Sequence, residues 1–186
     1  MARIHIVGAS GTGTSTLGAA LARRLGYPHI DADALFWMPT DPPFTTPRPA
    51  DDRQALLRQR LPITDPWVFS GSALKWAASL EPFHDLLVFL RLDPALRRER
   101  LRRREAERYG ARIEAGGDMA AASAAFLQWA HAYDSAGPEQ RSLVAHEQWL
   151  ASQKAPVLRL DSAAPVQDLV AAVLATLEAP DGHRPA

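Results

Sequence analysis

Cysteine is absent from this chain, and lysine nearly so. With no cysteine among 186 residues there are no disulfides and no cysteine-ligated metal, a composition that fits a reducing compartment. The two lysines, Lys75 and Lys154, leave nineteen arginines to carry the positive charge. Basic and acidic residues balance at 21 each, so net charge draws the chain neither to nucleic acid nor to an anionic membrane. No stretch approaches the roughly 18 apolar residues of a membrane span. The apolar run in "MARIHIVGAS" is too short for a signal peptide. These absences fit a cytoplasmic protein with no nucleic-acid or membrane partner, and they leave monomer and homodimer both open. What is present, 47% hydrophobic and 23% charged residues, is the profile of one soluble domain with a proper core.

The first apolar run, Ile4 to Val7, leads into "GASGTGTST", Gly8 to Thr16. The spacing is that of a phosphate-binding loop, G-x-x-x-x-G-K-[ST], with Thr14 where the lysine belongs. Gly8, Gly11 and Gly13 let backbone N–H groups approach a phosphate closely. A helix beginning near Thr14 aims its positive end at the same spot. Ser15 holds the hydroxyl position that ligates Mg²⁺, and Thr16 adds a second hydroxyl for the α-phosphate. Gly8, Ser10, Gly11, Thr12, Gly13, Thr14, Ser15 and Thr16 are thus the candidate nucleotide-binding residues. Thr14 carries no charge, so a cation for the β- and γ-phosphates must come from elsewhere, or transfer is slow or absent.

Along the chain, Leu17, Leu21 and Leu25 recur at helical spacing before a stop at Gly26. A second strand is expected at Tyr27–Ile30, a third at Trp67–Phe69, a fourth at Leu86–Leu92 and a fifth at 156–160. Five prolines make 38–49 irregular, and a helix with Leu56, Leu57 and Leu61 on one face follows. Asp93-Pro94 reads as an N-cap and first turn, opening a helix to Tyr109. Helices over about 119–135 and 139–152 follow, and a last one at Val166–Leu177. Residues 1–178 then form one domain and 179–186 a frayed tail. Strands alternating with helices give an α/β fold with a mainly parallel sheet covered on both faces. Ligands of such sheets bind at the carboxyl ends of the strands.

Three further features fall at that edge. "HIDAD" places Asp31 and Asp33 after strand two, where a carboxylate can hold Mg²⁺, take a proton from a substrate hydroxyl, or simply cap the next helix. Phe36 and Trp37 behind them suit either a pocket wall or the core. Ser70 stands at the end of strand three, where many nucleotide-binding folds carry an aspartate, which leaves Asp31 or Asp33 as the metal-side carboxylate. Lys75, just beyond, fits an ordinary surface lysine better than a substitute cation. Nine of the nineteen arginines fall between 91 and 112. Arg97, Arg100, Arg104 and Arg108 share one helix face and could close over a triphosphate as a lid. Outward residues such as Arg98 and Arg102 are solvated, and Glu99–Arg103 is a candidate surface pair.

With these elements in order, the chain resembles the adenylate-kinase-like group of P-loop small-molecule kinases over nearly its whole length. "GASGTGTST" is similar to their loop, "DAD" at 31–33 resembles the D-x-D of shikimate kinases, and "SGSALKW" bears some likeness to gluconate kinases. "DADALFWMPTDPPFTT" and "ERYGARIEAGGDM" resemble a bacterial set of adenylate-kinase-related, ATPase-like proteins that carry threonine for the loop lysine. The resemblance implies a P-loop NTPase fold of the nucleoside and shikimate kinase type, with five parallel strands in the order 2-3-1-4-5. It also implies ATP and Mg²⁺, a small-molecule acceptor under a covering segment at 38–62, a lid near 104–118, and a loop at Asp161–Val166 bordering adenine. In that frame Asp33, Arg104 and Arg108 are the catalytic candidates, and Ser15 with Asp31 the metal-side pair. The alternative is a nucleotide-binding module with little or no catalysis.

Overall fold

The computed structural model describes residues 1–179; the tail expected to fray lies, from 180 on, outside the described residues. Five parallel strands form one sheet: β1 (Arg3–Gly8), β2 (His29–Asp31), β3 (Trp67–Ser70), β4 (Leu86–Arg91) and β5 (Val157–Asp161). Their order is β2-β3-β1-β4-β5, so the first strand lies in the middle and its carboxyl end marks the switch point of the sheet.

The central strands are apolar nearly throughout because both faces are covered. On one face Ile4, Ile6, Val68, Leu86, Val88 and Leu90 pack with Leu17 and Leu21 of α1 (Thr14–Leu25) and with Leu169 and Val173 of a C-terminal helix at Val166–Glu178. Each of those fully buried leucines contributes about 1.5–3 kcal/mol. On the other face Trp67 and Phe69 meet Leu57 and Leu61, at the end of a helix spanning Ala50–Arg60, while Val7, Leu87 and Phe89 meet Leu150. The elements between are α2 (Ala32–Phe36), α3 (Ala50–Arg60), α4 (Pro94–Tyr109), α5 (Ala120–His131) and α6 (Leu143–Ala151), and the C-terminal helix is α7.

Element boundaries differ from expectation where a cap or turn intervenes. β2 starts at His29, since Pro28 has no N–H and offers its carbonyl to Val68 instead. α5 stops at His131 and tightens into a 3₁₀ turn at Ala132–Asp134. α6 begins at Leu143 rather than 139, because the Ser142 hydroxyl accepts from Ala145 N at 3.0 Å and donates to the Gly137 carbonyl at 2.7 Å. A 3₁₀ stretch at Ala78–Phe83 had no periodic signal. The start of α4 follows the sequence: the Asp93 carboxylate accepts from Ala95 N at 2.9 Å and Leu96 N at 3.1 Å, a cap worth about 1 kcal/mol.

Under the β1–β3 side of the sheet lies a buried aromatic cluster with two histidines, His5 and His84, whose rings are 5.0 Å apart. Trp149 packs against both, Phe69 against His5 and Trp67 against His84. Burial pushes both imidazoles down, His84 to about 4, so they are neutral in the folded protein.

Candidate functional site

The loop leaves β1 and turns back on itself before α1 begins. Gly11 and Gly13 adopt φ of 89° and 87°, a region closed to ordinary side chains, and Gly11 also lies against Leu101 and the carbonyl of Arg97. Leu17 is the first residue of α1 to bond back, to the Gly13 carbonyl at 3.0 Å, so the N–H groups of Thr14 to Thr16 belong to a first turn without intrahelical acceptors. Ser15 and Thr16 are exposed and Thr14 half-buried. Thr12 differs from its neighbours: it is buried, and its N–H and hydroxyl both donate to the Ala9 carbonyl. It braces the loop from inside.

A cavity of about 840 Å³ opens over this loop. Its floor is Gly8 to Leu17, and one end is bounded by Asp31, Asp33, Gly71 and Ser72, after β2 and β3. The opposite end is bounded by Ser162, Ala164 and Val166, after β5. Arginines 100, 103, 104, 108 and 141 form the roof and walls. All the sequence candidates, Asp31 and Asp33, the loop and Arg104 with Arg108, therefore border one space.

Asp31 is the N-cap of α2, its Oδ1 accepting from Asp33 N at 2.9 Å, and its Oδ2 accepts the Ser70 hydroxyl at 3.1 Å. Ser70 is fully buried and hydrogen-bonds His29 Nε2 at 2.9 Å. The serine in the usual place of an aspartate thus faces Asp31 and fixes its carboxylate, which is the group that reaches the cavity. Asp33 is open to the cavity but surrounded by protein at longer range. Burial first, then Asp31, push its carboxyl above the ordinary range, while Arg141, Arg104 and Trp37 pull the other way.

Arg104 and Arg141 are the cations facing this carboxylate. The buried Arg104 Nε has no acceptor among the described residues, and its guanidinium lies 5.5 Å from the Phe126 ring centre. Burial and the neighbouring Arg108 both disfavour its charge. Arg141 donates to the Ser72 carbonyl at 3.3 Å and stacks over Trp129 at 5.2 Å, its charge likewise disfavoured by burial and supported by Asp33. An orphaned buried donor and two desolvated guanidiniums facing the loop are complementary to an anion. Arg141 belongs to no motif and was not among the sequence candidates; it precedes the Ser142 cap of α6, the one local signal near it.

The arginine face of α4 divides. Arg97 is 1% exposed, donates to the Ala130 carbonyl at 2.8 Å, pairs with Asp134 and stacks under Tyr133 at 5.0 Å. It is a structural pin and no part of a lid, a correction to the reading that gave all four arginines of this face to a lid. Arg100 reaches the Ser162 carbonyl at 3.2 Å. Arg108 lies 4.2 Å from the Phe44 ring centre. The surface pair on this helix is Arg103–Glu107 at 3.6 Å, in place of Glu99–Arg103, while Arg98 and Arg102 are exposed as expected.

Beyond α4 the 104–118 and 38–62 segments touch. Arg112 holds Asp118 with two bonds, at 3.0 and 2.7 Å, and Asp41 at 2.7 Å. Tyr109 donates to the Pro43 carbonyl at 3.0 Å. Phe44 borders the cavity, whereas Phe36 packs with Trp37, Trp76 and Arg53 behind it. Lys75 donates to the Glu139 carbonyl at 2.9 Å, exposed. No helix among the described residues is long and apolar enough to cross a membrane.

The sequence pattern of the family described as AAA domain matches residues 4–121, more than half of the chain. The protein YqaC of Bacillus subtilis (strain 168), itself described as uncharacterized, is 44% identical over 171 residues, covering 92% of this chain and 94% of its own. A shikimate kinase structure from Bacteroides thetaiotaomicron matches with a TM-score of 0.57 at 18% identity, over 96% of this chain and 99% of that one. A gluconokinase from Sinorhizobium meliloti 1021 matches with a TM-score of 0.53 at 24% identity, over 94% and 90%. At such identities the likeness is one of fold, and the fold is the P-loop arrangement the sequence resemblance implied.

Proposed function

The chain belongs to the AAA domain family, and on that premise we propose that it is an ATP-dependent phosphotransferase acting on a small molecule. The observation that carries this reading is the single cavity in which the loop N–H groups, Asp33 and a set of arginines converge at the carboxyl edge of the sheet. ATP would lie along the loop, with its base toward Ser162–Val166. The Ser15 hydroxyl and the Asp31 carboxylate fit Mg²⁺, which takes only one or two carboxylates and keeps several waters. ATP with Mg²⁺ supplies the phosphoryl group and part of the charge that steadies its oxygens.

The remaining work falls to this chain's own residues. Asp33, raised above the usual carboxylate range, would accept the proton of an acceptor hydroxyl. Arg104, with Arg108 and Arg141 lining the same cavity, would provide the cation that Thr14 does not. Ser70 would keep the Asp31 carboxylate in one orientation. The reading places the protein in the cytoplasm.

A coupled ATP-consumption assay over nucleoside monophosphates, hydroxy acids and sugar acids tests this. Turnover with one class of acceptor is expected; ATP binding without turnover for any would sink it. The uncharged Thr14 favours one alternative, a module that binds nucleotide for a partner without catalysis.

A further inference from the structure

Beside Asp33 lies a hydrogen-bonded chain that the reaction as described does not use. Ser72 borders the cavity after β3, and its Oγ is 3.0 Å from Nε2 of His146. Nδ1 of the same ring is 2.7 Å from the Tyr133 hydroxyl. His146 is wholly buried on α6, and Tyr133 is 6% exposed under Arg97. Three side chains from three elements thus run in line from the protein interior to the wall of the cavity.

The direction of the hydrogen bonds follows from counting protons. Among the described residues the Tyr133 hydroxyl has one acceptor within reach, Nδ1 of His146. A buried phenol proton left without an acceptor is costly, so Tyr133 donates to Nδ1. The Ser142 carbonyl, one turn earlier on the chain, accepts the backbone N–H of His146 at 3.0 Å and favours a proton on the ring. It is not within hydrogen-bonding geometry of Nδ1, whose partner among the described residues is the Tyr133 hydroxyl. A neutral imidazole that accepts at Nδ1 carries its proton on Nε2, and that proton goes to Ser72 Oγ. The Ser72 hydroxyl proton is then turned away from His146, toward the cavity. Burial keeps the imidazole neutral, with its pKa at about 4, and holds the phenol protonated, so the arrangement is unchanged around neutral pH. The Ser72 backbone is tied as well, through its carbonyl to Arg141.

We propose that Ser72 is a specificity-determining donor, its hydroxyl proton fixed by the Tyr133–His146 relay and presented to a hydrogen-bond-accepting oxygen of the small-molecule substrate. His146 and Tyr133 are positioning residues that act through it. Ser72 lies at the β2–β3 end of the cavity with Asp33, away from Ser162 and Ala164 at the β5 end, so the molecule it reads is the acceptor and not the nucleotide. The site is complete for an acceptor in which an oxygen without a proton to offer, such as a carboxylate or phosphate oxygen, neighbours the hydroxyl taken by Asp33. This inference rests on the phosphotransferase reading for the identity of the ligand, but not for the direction of the relay.

Two measurements on the full chain test it separately. Long-range ¹H–¹⁵N correlation of the imidazoles, with His146 assigned by its loss in His146→Gln, should show the proton on Nε2 in wild type and a disturbed pattern in Tyr133→Phe. A proton on Nδ1, or an imidazolium at neutral pH, overturns the proposal. With the acceptor that turns over in the ATP-consumption screen, Ser72→Ala should raise the acceptor KM about tenfold, with the affinity for ATP unchanged. Ser72→Thr, which keeps the hydroxyl, should restore it, and Tyr133→Phe should fall between. An acceptor KM equal in Ser72→Ala and wild type, or an equal loss of ATP affinity, overturns it. If no acceptor turns over, the phosphotransferase reading falls by itself, and the donor still stands or falls on the tautomer.

Discussion

Near its start, α4 carries Arg97, buried to 1%, with a carbonyl, an aspartate and a tyrosine ring all engaged with its guanidinium. Two turns later the same face carries Arg104, half-buried, with an orphaned Nε and a like charge, Arg108, beside it. The residue type, helix and face are the same, yet the first arginine is satisfied by protein and the second is not. Breaking a charge engaged by protein groups strands its partners, whereas a cation with a spare donor at a cavity wall can take an anion. The difference arises outside α4: α5 and the turn after it supply Ala130, Tyr133 and Asp134 to Arg97, while α5 gives Arg104 only the Phe126 ring and no acceptor, and its guanidinium borders the cavity.

Breaking the second kind of charge should have the largest effect. Arg104→Ala is expected to lower kcat about 10²–10³-fold, the cost of one oxyanion-directed donor. Urea unfolding should show unchanged or slightly higher stability, because a poorly compensated charge is relieved. Loss of stability without loss of rate would reverse the assignment.

Arg97→Met should do the opposite. It leaves Asp134 unpaired and empties the space under Tyr133, so about 3 kcal/mol of stability should be lost in urea titration, the low end for a broken buried pair because Asp134 is 35% exposed. ATP affinity measured well below the unfolding midpoint should change little.

The neutral histidines offer a third contrast, between buried groups that hold no charge and those that do. The folded pKa values of His84 and His146, about 4, lie below the unfolded value of 6.5. The unfolded chain therefore binds more protons, and their contribution is fully present above pH 6.5 and lost as pH falls toward 4. Each accounts for up to about 3 kcal/mol over that window. Stability flat from pH 7 to 4 would show that these rings are charged or already solvated.

Thr14→Lys sharpens the question of the missing cation. With Arg104 and Arg141 in place, the rate gain should be less than about tenfold; a far larger gain would identify the natural loop as that of a binding module. The smallest effect belongs to Arg112→Ala. Its pairs with Asp41 and Asp118 are solvent-exposed, so the unfolding midpoint should not move measurably.

The parts legible in the sequence were those encoded locally. Glycine spacing announced the loop, Asp93-Pro94 announced α4, and unbroken apolar runs announced buried parallel strands. The helical spacing of Arg97, Arg100, Arg104 and Arg108 correctly put them on one face. It could not say that α5 and the turn after it bring acceptors to one end of that face and only an aromatic ring to the other. Arg141 had no motif to mark it, and Ser70 looked like a missing carboxylate until its hydroxyl was seen against Asp31.

By itself, then, the sequence determined a P-loop α/β fold, the place of the phosphate loop, and the set of charged residues available near it. Those features depend on backbone preferences and on contacts within a turn or two. Only the tertiary structure decided which arginine is swallowed and which faces the cavity, and that Ser72 meets Arg141 and His146 across 69 and 74 residues of chain. Burial and hydrogen-bond partnership are properties of segments brought together by folding. The spacing of residues along any one segment does not contain them.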